Sequence, residues 1–530
     1  MSKRLQSIIT VSASILGSRV LGLVRDSMTA AFLGVSLASN AFLFAFAIPN
    51  LFRRLFGEGA LTSAFIPVLS DRLQSGEGDA AAYRFVNQVL LRLVVVTVGL
   101  AIVLGLLFFA ASVYFSHRLG EDGNWSQPMA EQWFLGSLLS VLLIPYMPII
   151  CVTAILGAVL NTRNRFAVPA LSNVLLNVGM ISALILGGLT MKLPAEQLVW
   201  WLSIGVLVGG CLQLLSALVA LWFEGWRPRI ERGPVEGMDA LMRLFIPSLW
   251  GAAILQVNIL VSRLLAFGLN ETATTTLNYA HRLIELPLGM FAVAIATVIF
   301  PQMSLMVSSD DREGLIDSYG HGMRLTIALI APAAVGLIVL NEPIIQLLFQ
   351  WGRFTSEDVA LTGPLLLILA MATPMYAIIT LNTRAFHAMK DTRTPVLYAG
   401  VAFLVNLVAS LALMGPFQAR GLALAGLLSA VIHAALVVRG LAKARPELSK
   451  ANIGRALRIV LVSSVGMALV AFFASEGIEA LFGTTKQASL IICVGVIPLA
   501  AAVYFALLFA LKFEDRHEVV SLTKRLIGKT

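Results

Sequence analysis

Apolar stretches long enough to cross a lipid bilayer follow one another almost from end to end of this chain. A spanning helix needs about 20 apolar residues, and 58% of the 530 residues are hydrophobic while 13% are charged. We expect about 14 spans, at 7–34, 38–70, 84–115, 130–160, 167–190, 197–222, 238–268, 272–306, 315–340, 357–388, 392–413, 419–443, 452–476 and 486–512. The pattern predicts an all-α polytopic membrane protein without a soluble domain.

Lysine and arginine are unevenly distributed between the two sets of connections. If Lys3 and Arg4 lie in the cytoplasm, the connections after even-numbered spans lie there too, and these are basic, as at Arg163 and Arg165. The opposite loops, such as 120–124, contain few cations. The positive-inside rule therefore predicts that both termini are cytoplasmic. Topology accounts for the net charge of +9, so we expect anionic lipid headgroups and no nucleic acid as partners.

No motif for covalent chemistry is present. Cys151, Cys211 and Cys493 lie in separate apolar stretches without metal-type spacing. There is no glycine-rich phosphate loop, no HExxH and no G-x-S-x-G. We therefore expect no enzyme, no cofactor and no metal site. If the chain is a transporter, we expect coupling to the membrane potential or to a monovalent cation.

Two parts of the chain resemble each other. The matching pieces are 161–169 with Asn177 against 382–395 with Asn406, and 49–67 against 287–301. Because both pairs relate spans of the same direction, they indicate two parallel six-helix halves, an architecture that carries substrate between its lobes. The predicted division is 1–230 for spans 1–6, 231–445 for spans 7–12, and 446–530 for spans 13–14 with a cytoplasmic tail.

Arginine lies within several of these spans. A guanidinium stays protonated, and at bilayer depth it costs at least ~2.5–3.5 kcal/mol, so it must face a partner or a wet cavity. Arg19, Arg25, Arg53 and Arg282 have few acids nearby, which favours a cavity that receives an anion. Six polar neighbours are expected to support this cavity: Asp26, Asn40, Asn50, Glu58, His281 and Glu285.

Helical spacing also allows local ion pairs. Glu58 is four residues after Arg54, and Glu285 is three residues after Arg282. For Arg54 we favour such a structural pair over a role in the cavity. On a straight helix Arg19 and Arg25 point about 120° apart, but Gly17 and Gly22 permit bending and close packing.

Five segments carry a family resemblance: SRVLGLVRD at 18–26, PNLFRRLFGEGA at 49–60, LNTRNRF at 160–166, YAHRLIELP at 279–287 and FQWGRFT at 349–355. They resemble the MurJ/MviN family, over the chain from its start to about residue 410. The resemblance implies a MATE-like fold and a lipid II flippase of the MOP superfamily in the bacterial inner membrane. It also implies that Arg19, Arg25, Arg53 and Arg282 stand at the family's essential cavity arginines.

This resemblance agrees with the residues themselves. The substrate it implies, lipid II, is an undecaprenyl-diphosphate-linked muropeptide, and arginine binds phosphate oxygens bidentately. Two positions depart from the family, because Asn40 and His281 stand where it commonly has acids. The cell-wall synthesis machinery is a further partner that this resemblance implies.

Three functions compete on the sequence alone. The first is a lipid II flippase that works by alternating access. The second is an exporter of another polyprenyl-linked oligosaccharide, or of drug cations, in the same superfamily; a drug-cation exporter should show acids in the cavity. The third is a scaffold or a membrane-embedded transferase, which should cluster acids near the headgroups. The arginines favour the first.

Overall fold

The chain is helical throughout the part that the computed structural model describes, which comprises residues 3–57, 59–74, 78–119, 127–231, 233, 236–451 and 453–519. Its α-helices, in chain order, are α1 (Lys3–Leu33), α2 (Leu37–Phe52), α3 (Ala60–Gln74), α4 (Gly78–Arg118), α5 (Gln127–Leu143), α6 (Tyr146–Thr162), α7 (Ala167–Leu184), α8 (Ala195–Phe223), α9 (Met238–Phe267), α10 (Ala273–Pro287), α11 (Val293–Ser308), α12 (Arg312–Val339), α13 (Asn341–Phe349), α14 (Ser356–Ala388), α15 (Arg393–Ala444), α16 (Ile453–Phe482), α17 (Lys486–Ile491) and α18 (Ile497–Ala510).

These helices follow the 14 predicted spans in order, and the predicted fold class is confirmed. Within the described residues, nine helices are long and apolar enough to cross a membrane, or ten if the bent pair α5 and α6 forms one span. One of the nine, α15, holds two predicted spans that meet at Gln418, where the backbone leaves the helical region at φ 53° and ψ −135°. The predicted first, second and seventh spans correspond to α1, to α2 with α3, and to α9.

Two spans are interrupted in the same way, each at a wide π-helical turn. In the second span Pro49 lies in α2 and the turn covers Arg53–Gly57. In the eighth, Pro287 ends α10 and the turn covers Leu288–Ala292. Each of these two turns lies just C-terminal to a proline, unlike the π-helical turns at Ile185–Thr190 and Ile492–Val496. The match between 49–67 and 287–301 thus has a counterpart in the backbone.

The chain forms two compact units. The first contains Met1–Thr275 and the short segment Trp351–Phe354, and the second contains Thr276–Gln350 and Thr355–Thr530. Each has its own apolar core: Phe65 and Tyr146 are fully buried in the first, and Val460 and Phe513 in the second. Elsewhere apolar side chains face outward, especially along α4, as expected for a surface in contact with lipid.

The boundary between the two compact units follows Thr275, whereas the predicted boundary between the lobes follows residue 230. Helix α9, which the sequence analysis assigns to the second half, packs against α2 and α3 within the first unit. Compactness groups helices by packing in one conformation, whereas a lobe is a group of helices that moves together. The lobe boundary at residue 230 therefore stays a prediction.

Candidate functional site

Helix α1 carries the most enclosed of the predicted site arginines. The Arg25 Nε and Nη2 atoms donate to Asp26 Oδ1 over 2.9 and 2.6 Å, and the two side chains are 15% and 14% exposed. Of the few acids expected near the arginines, Asp26, the next residue in the chain, neutralises Arg25 in this conformation. A carboxylate already occupies the edge of the guanidinium that an incoming anion would use.

Helix α7 holds the same guanidinium from the other side. Arg25 Nη1 donates to Asn177 Oδ1 over 2.9 Å and lies 3.9 Å from Met180 Sδ. The Asn177 amide donates in turn to the Ser18 backbone carbonyl over 3.2 Å, which fixes its orientation so that the amide oxygen faces Arg25. Arg25 is therefore positioned by a side chain that is itself tied to α1.

A second arginine reaches α7 from the second span. Arg53 begins the π-helical turn after α2, and its Nη1 donates to Asn173 Oδ1 over 3.2 Å. Asn173 and Asn177 are four residues apart and share one face of α7. Two cations from different helices thus meet the same helix one turn apart, which brings Arg25 and Arg53 into one cluster that we call the α7 arginine site.

The remaining predicted residues near this cluster have different environments. Arg19 lies on α1 with an exposed side chain, and Asn50 on α2 is half-buried and donates to the Phe46 carbonyl over 2.9 Å. Arg54 is exposed. Glu58 lies outside the described residues, so its pairing with Arg54 stays a prediction.

Asn40 is fully buried and its amide is fully bonded. Its Nδ2 donates to Gln132 Oε1 over 3.1 Å and to the Asn270 carbonyl over 3.0 Å, while its Oδ1 accepts from the backbone N and the hydroxyl of Thr275. Gln132, also buried, donates to the Phe267 carbonyl, and the Phe267 ring stacks on Phe44 with centroids 4.2 Å apart. In this conformation Asn40 therefore anchors the α9–α10 connection and faces no open cavity.

The second unit carries the fourth predicted arginine on α10. Arg282 Nη1 donates to Glu285 Oε2 over 3.3 Å, with the two side chains 33% and 56% exposed. His281 is exposed beside it. The predicted i,i+3 ion pair is thus present, and at this exposure it is worth about 0.3–0.5 kcal/mol.

Sequence reasoning missed the two asparagines that hold the α7 arginine site. Asn177 appeared there only as a marker of the internal repeat, and Asn173 did not appear at all. Their four-residue spacing on an apolar helix was the available signal, because two amides on one face of a spanning helix need polar partners.

One group of side chains in the described part of the chain has the spacing of metal ligands: His321, Asp515 and Glu518. Arg324 Nε also donates to Asp515 Oδ2 over 2.6 Å, so a cation of the chain itself already occupies that carboxylate.

Comparison with known proteins agrees with the family resemblance of the five sequence segments. The family described as "Lipid II flippase MurJ" matches residues 29–495. A "Probable lipid II flippase MurJ" of Vibrio cholerae is 36% identical over 446 residues, 83% of each chain, and one of Rhizobium tropici is 30% identical over 522 residues, 94% of this chain and 93% of its own.

Solved structures share the fold. The structure titled "Lipid II flippase MurJ, inward closed conformation" matches with a TM-score of 0.76 at 24% identity, covering 94% of this chain and 98% of that one. An inward-facing multidrug resistance MATE family transporter of the MOP superfamily matches with a TM-score of 0.64 at 13% identity, covering 84% and 98%. The MATE-like architecture predicted from the sequence is thus confirmed.

Proposed function

Since this chain belongs to the lipid II flippase MurJ family, we propose that it is a lipid II flippase of the bacterial inner membrane and that its α7 arginine site receives the diphosphate of lipid II. Family membership supports the activity. The observation that supports the site is the convergence of Arg25 and Arg53 on Asn177 and Asn173 of one helix. Transport moves the substrate without making or breaking a covalent bond, so no enzymatic step is required.

The α7 arginine site suits a diphosphate in both charge and geometry. A guanidinium has five N–H donors in a planar fork that matches phosphate oxygens. Arg25 directs its Nε and one Nη2 donor at Asp26 and its Nη1 at Asn177 and Met180 Sδ, so a diphosphate reaches the Nε/Nη2 edge by displacing Asp26. A bridging diphosphate can bind this edge and Arg53 together. Low exposure strengthens the charge-assisted hydrogen bonds at Arg25, whereas the Arg53–Asn173 contact is exposed.

Asp26 acts in this proposal as an internal counter-ion. It neutralises Arg25 when the site is empty, which lowers the cost of keeping a guanidinium within a membrane-spanning helix. The substrate anion competes with it for the same edge of Arg25. Release is therefore assisted, because Asp26 re-forms the ion pair as the diphosphate leaves.

The direction of transport follows from the membrane potential. An anionic headgroup that moves from the negative inner side to the outer side gains about 2.3 kcal/mol per charge per 100 mV. We propose that this potential, or a monovalent cation moving with it, drives alternating access between the two halves. Vesicles with an imposed potential of either sign test this, since flipping at an unchanged rate under both signs contradicts the coupling.

The orientation of the chain is proposed from its basic loops. With both termini in the cytoplasm, a cysteine at Asn164 is shielded from an impermeant thiol reagent in intact cells, and one at Asn124, which lies outside the described residues, reacts. The opposite labelling pattern contradicts the orientation. Both cysteines are introduced into a chain whose three native cysteines have been replaced.

One experiment tests the activity itself. Depletion of the protein in its host should make lipid II accumulate on the cytoplasmic leaflet, and re-expression of the wild-type chain should reverse this. Arg25→Ala, expressed and inserted to the same level, should fail to reverse it. If depletion leaves the distribution of lipid II unchanged, the proposed activity is wrong; if Arg25→Ala restores the distribution as well as the wild-type chain does, the proposed site is wrong.

A further inference from the structure

The described segment that follows α18 packs onto the second unit. Residues Phe513–Val519 follow α18 through a turn at Lys512, which has φ 54°. The first and last residues of the segment, Phe513 and Val519, are fully buried, and they belong to the same apolar cluster as Leu315, Tyr319 and Met323 of α12. We call residues 513–519 the tail hook.

Two cations of α12 hold the acidic side chains of the tail hook. Arg324 Nε lies 2.6 Å from Asp515 Oδ2 and 3.4 Å from Glu514 Oε2, and Arg324 and Asp515 are only 12% and 13% exposed. His321, one turn earlier, places Nδ1 3.0 Å from Asp515 Oδ1 and Nε2 3.1 Å from Glu518 Oε2. The hook is therefore fixed by charge as well as by its two apolar ends.

The histidine contacts depend on its protonation state. A neutral imidazole has one N–H donor and one lone pair, whereas an imidazolium has two donors. With a carboxylate oxygen at each ring nitrogen, only the imidazolium satisfies both contacts, and the neutral ring sets a lone pair against one carboxylate. Protonation of His321 thus favours docking, and docking weakens as rising pH removes the proton.

The charged groups around His321 and Arg324 strengthen the pH dependence of docking. The groups that face His321 are Asp515 and Glu518, and those that act on Arg324 are Asp515, Glu514 and Asp317. Burial of the Asp515 carboxyl raises its pKa, but hydrogen bonds from His321 and Arg324 outweigh burial and hold that pKa below its usual value. Asp515 therefore stays charged across the range in which a histidine titrates.

We propose that the tail hook is a pH-responsive latch, which His321 and Arg324 hold docked on α12 while His321 is protonated and which loosens when His321 becomes neutral. When docked, it ties the end of α18 to α12. When His321 loses its proton, Arg324 is the remaining cation against Asp515 and Glu514, Glu518 no longer faces a charged imidazolium at His321 Nε2, and repulsion among the carboxylates of the hook favours release.

Hydrogen–deuterium exchange of the purified full chain tests the latch directly. The Glu518 and Val519 amides donate to the Asp515 carbonyl, so exchange of a peptide covering 513–519 reports whether the hook is docked. After correction for the intrinsic pH dependence of exchange, wild type should lose protection by about tenfold between mildly acidic and mildly alkaline pH. His321→Arg should stay protected at both, and His321→Gln should be unprotected at both.

Two controls keep this result interpretable. His517 lies in the same segment but contacts the Phe509 ring, with centroids 5.3 Å apart, so His517→Gln should behave as wild type. Asp515→Arg should expose the hook, and adding Arg324→Asp should restore protection by reversing the pair. If wild type and His321→Arg show the same pH dependence, or if the reversed pair fails to restore protection in a chain that is otherwise folded, the latch is wrong.

Discussion

The arginines predicted to form the binding site are held differently in the two units of this protein. In the first unit Arg25 and Arg53 are bonded to asparagines of α7, a helix more than a hundred residues further along the chain. In the second unit Arg282 is bonded to Glu285 on its own helix, one turn away, in a more exposed position. The first arrangement exists only when α7 lies beside α1 and within reach of the π-helical turn after α2, whereas the second needs α10 alone.

This difference distinguishes an anion-binding site from a structural ion pair within one helix. Long-range amide partners fix the direction of a guanidinium and leave its charge available, while a neighbouring acid on an exposed helix surface mainly satisfies that charge. Arg25 also has an acid on its own helix, Asp26, but this pair is less exposed than the Arg282–Glu285 pair. At 15% exposure an ion pair is worth more than on the surface. We therefore expect effects of substitution to fall steeply from the first unit to the second.

The largest effect should come from Arg25 itself. Arg25→Ala removes charge-assisted hydrogen bonds worth about 1.5–3 kcal/mol each, so lipid II flipping should fall at least 30-fold, about 2 kcal/mol, and complementation should fail. Arg25→Lys should recover only part of this, because an ammonium cannot reproduce the planar fork. A flipping assay in proteoliposomes measures the activity of both variants. Full activity of Arg25→Ala would contradict the proposed difference between the arginines of the two units.

Asn177→Leu should have the next largest effect. Leucine keeps the volume but removes the oxygen that orients Arg25, which we expect to lower diphosphate affinity about tenfold, or about 1.4 kcal/mol. The matched variant is Asn406→Leu, at the corresponding place in the internal repeat and also buried at 8% exposure. Calorimetry with pyrophosphate should separate the two, because Asn406→Leu should leave that affinity unchanged. Equal losses would mean that the amide acts through stability and not through Arg25.

The sequence predicts the spans well because their signal is local. A run of about 20 apolar residues is visible without knowledge of the fold, and the positions of α8, α14 and α16 follow from it. The prolines at 49 and 287 were also visible, but the π-helical turns that follow them were not, because the width of a turn depends on what packs against it.

The site could be predicted only in part, since contacts across many residues carry no local signal. The arginines stood out because guanidinium is costly at bilayer depth. Their partners Asn173 and Asn177 become evident only when α7 is placed beside α1. Asn40 is a different case: a polar residue in a span suggested a cavity, and in this conformation its amide is bonded to Gln132, Asn270 and Thr275 at the α9–α10 connection, so its place in a cavity stays a prediction.

A smaller effect, of opposite sign for binding, should follow from Asp26→Asn. The amide oxygen still accepts from Arg25 but no longer neutralises it, which is a loss of about 1 kcal/mol in the internal pair. Pyrophosphate should therefore bind about fivefold more tightly, while turnover of lipid II falls because release loses its competitor. Weaker binding in this variant would contradict the counter-ion role and would place Asp26 among the groups that position Arg25.

The smallest effect should come from Glu285→Gln, which tests the other side of the comparison. An exposed i,i+3 pair contributes about 0.3–0.5 kcal/mol, so thermal stability should barely change and flipping should stay within about twofold of wild type. The physical reason is that water solvates Arg282 at 33% exposure when Glu285 no longer accepts its hydrogen bond. A loss as large as that of Asn177→Leu would mean that Glu285 orients Arg282 during transport, and the two units would then hold their arginines for the same purpose by different means.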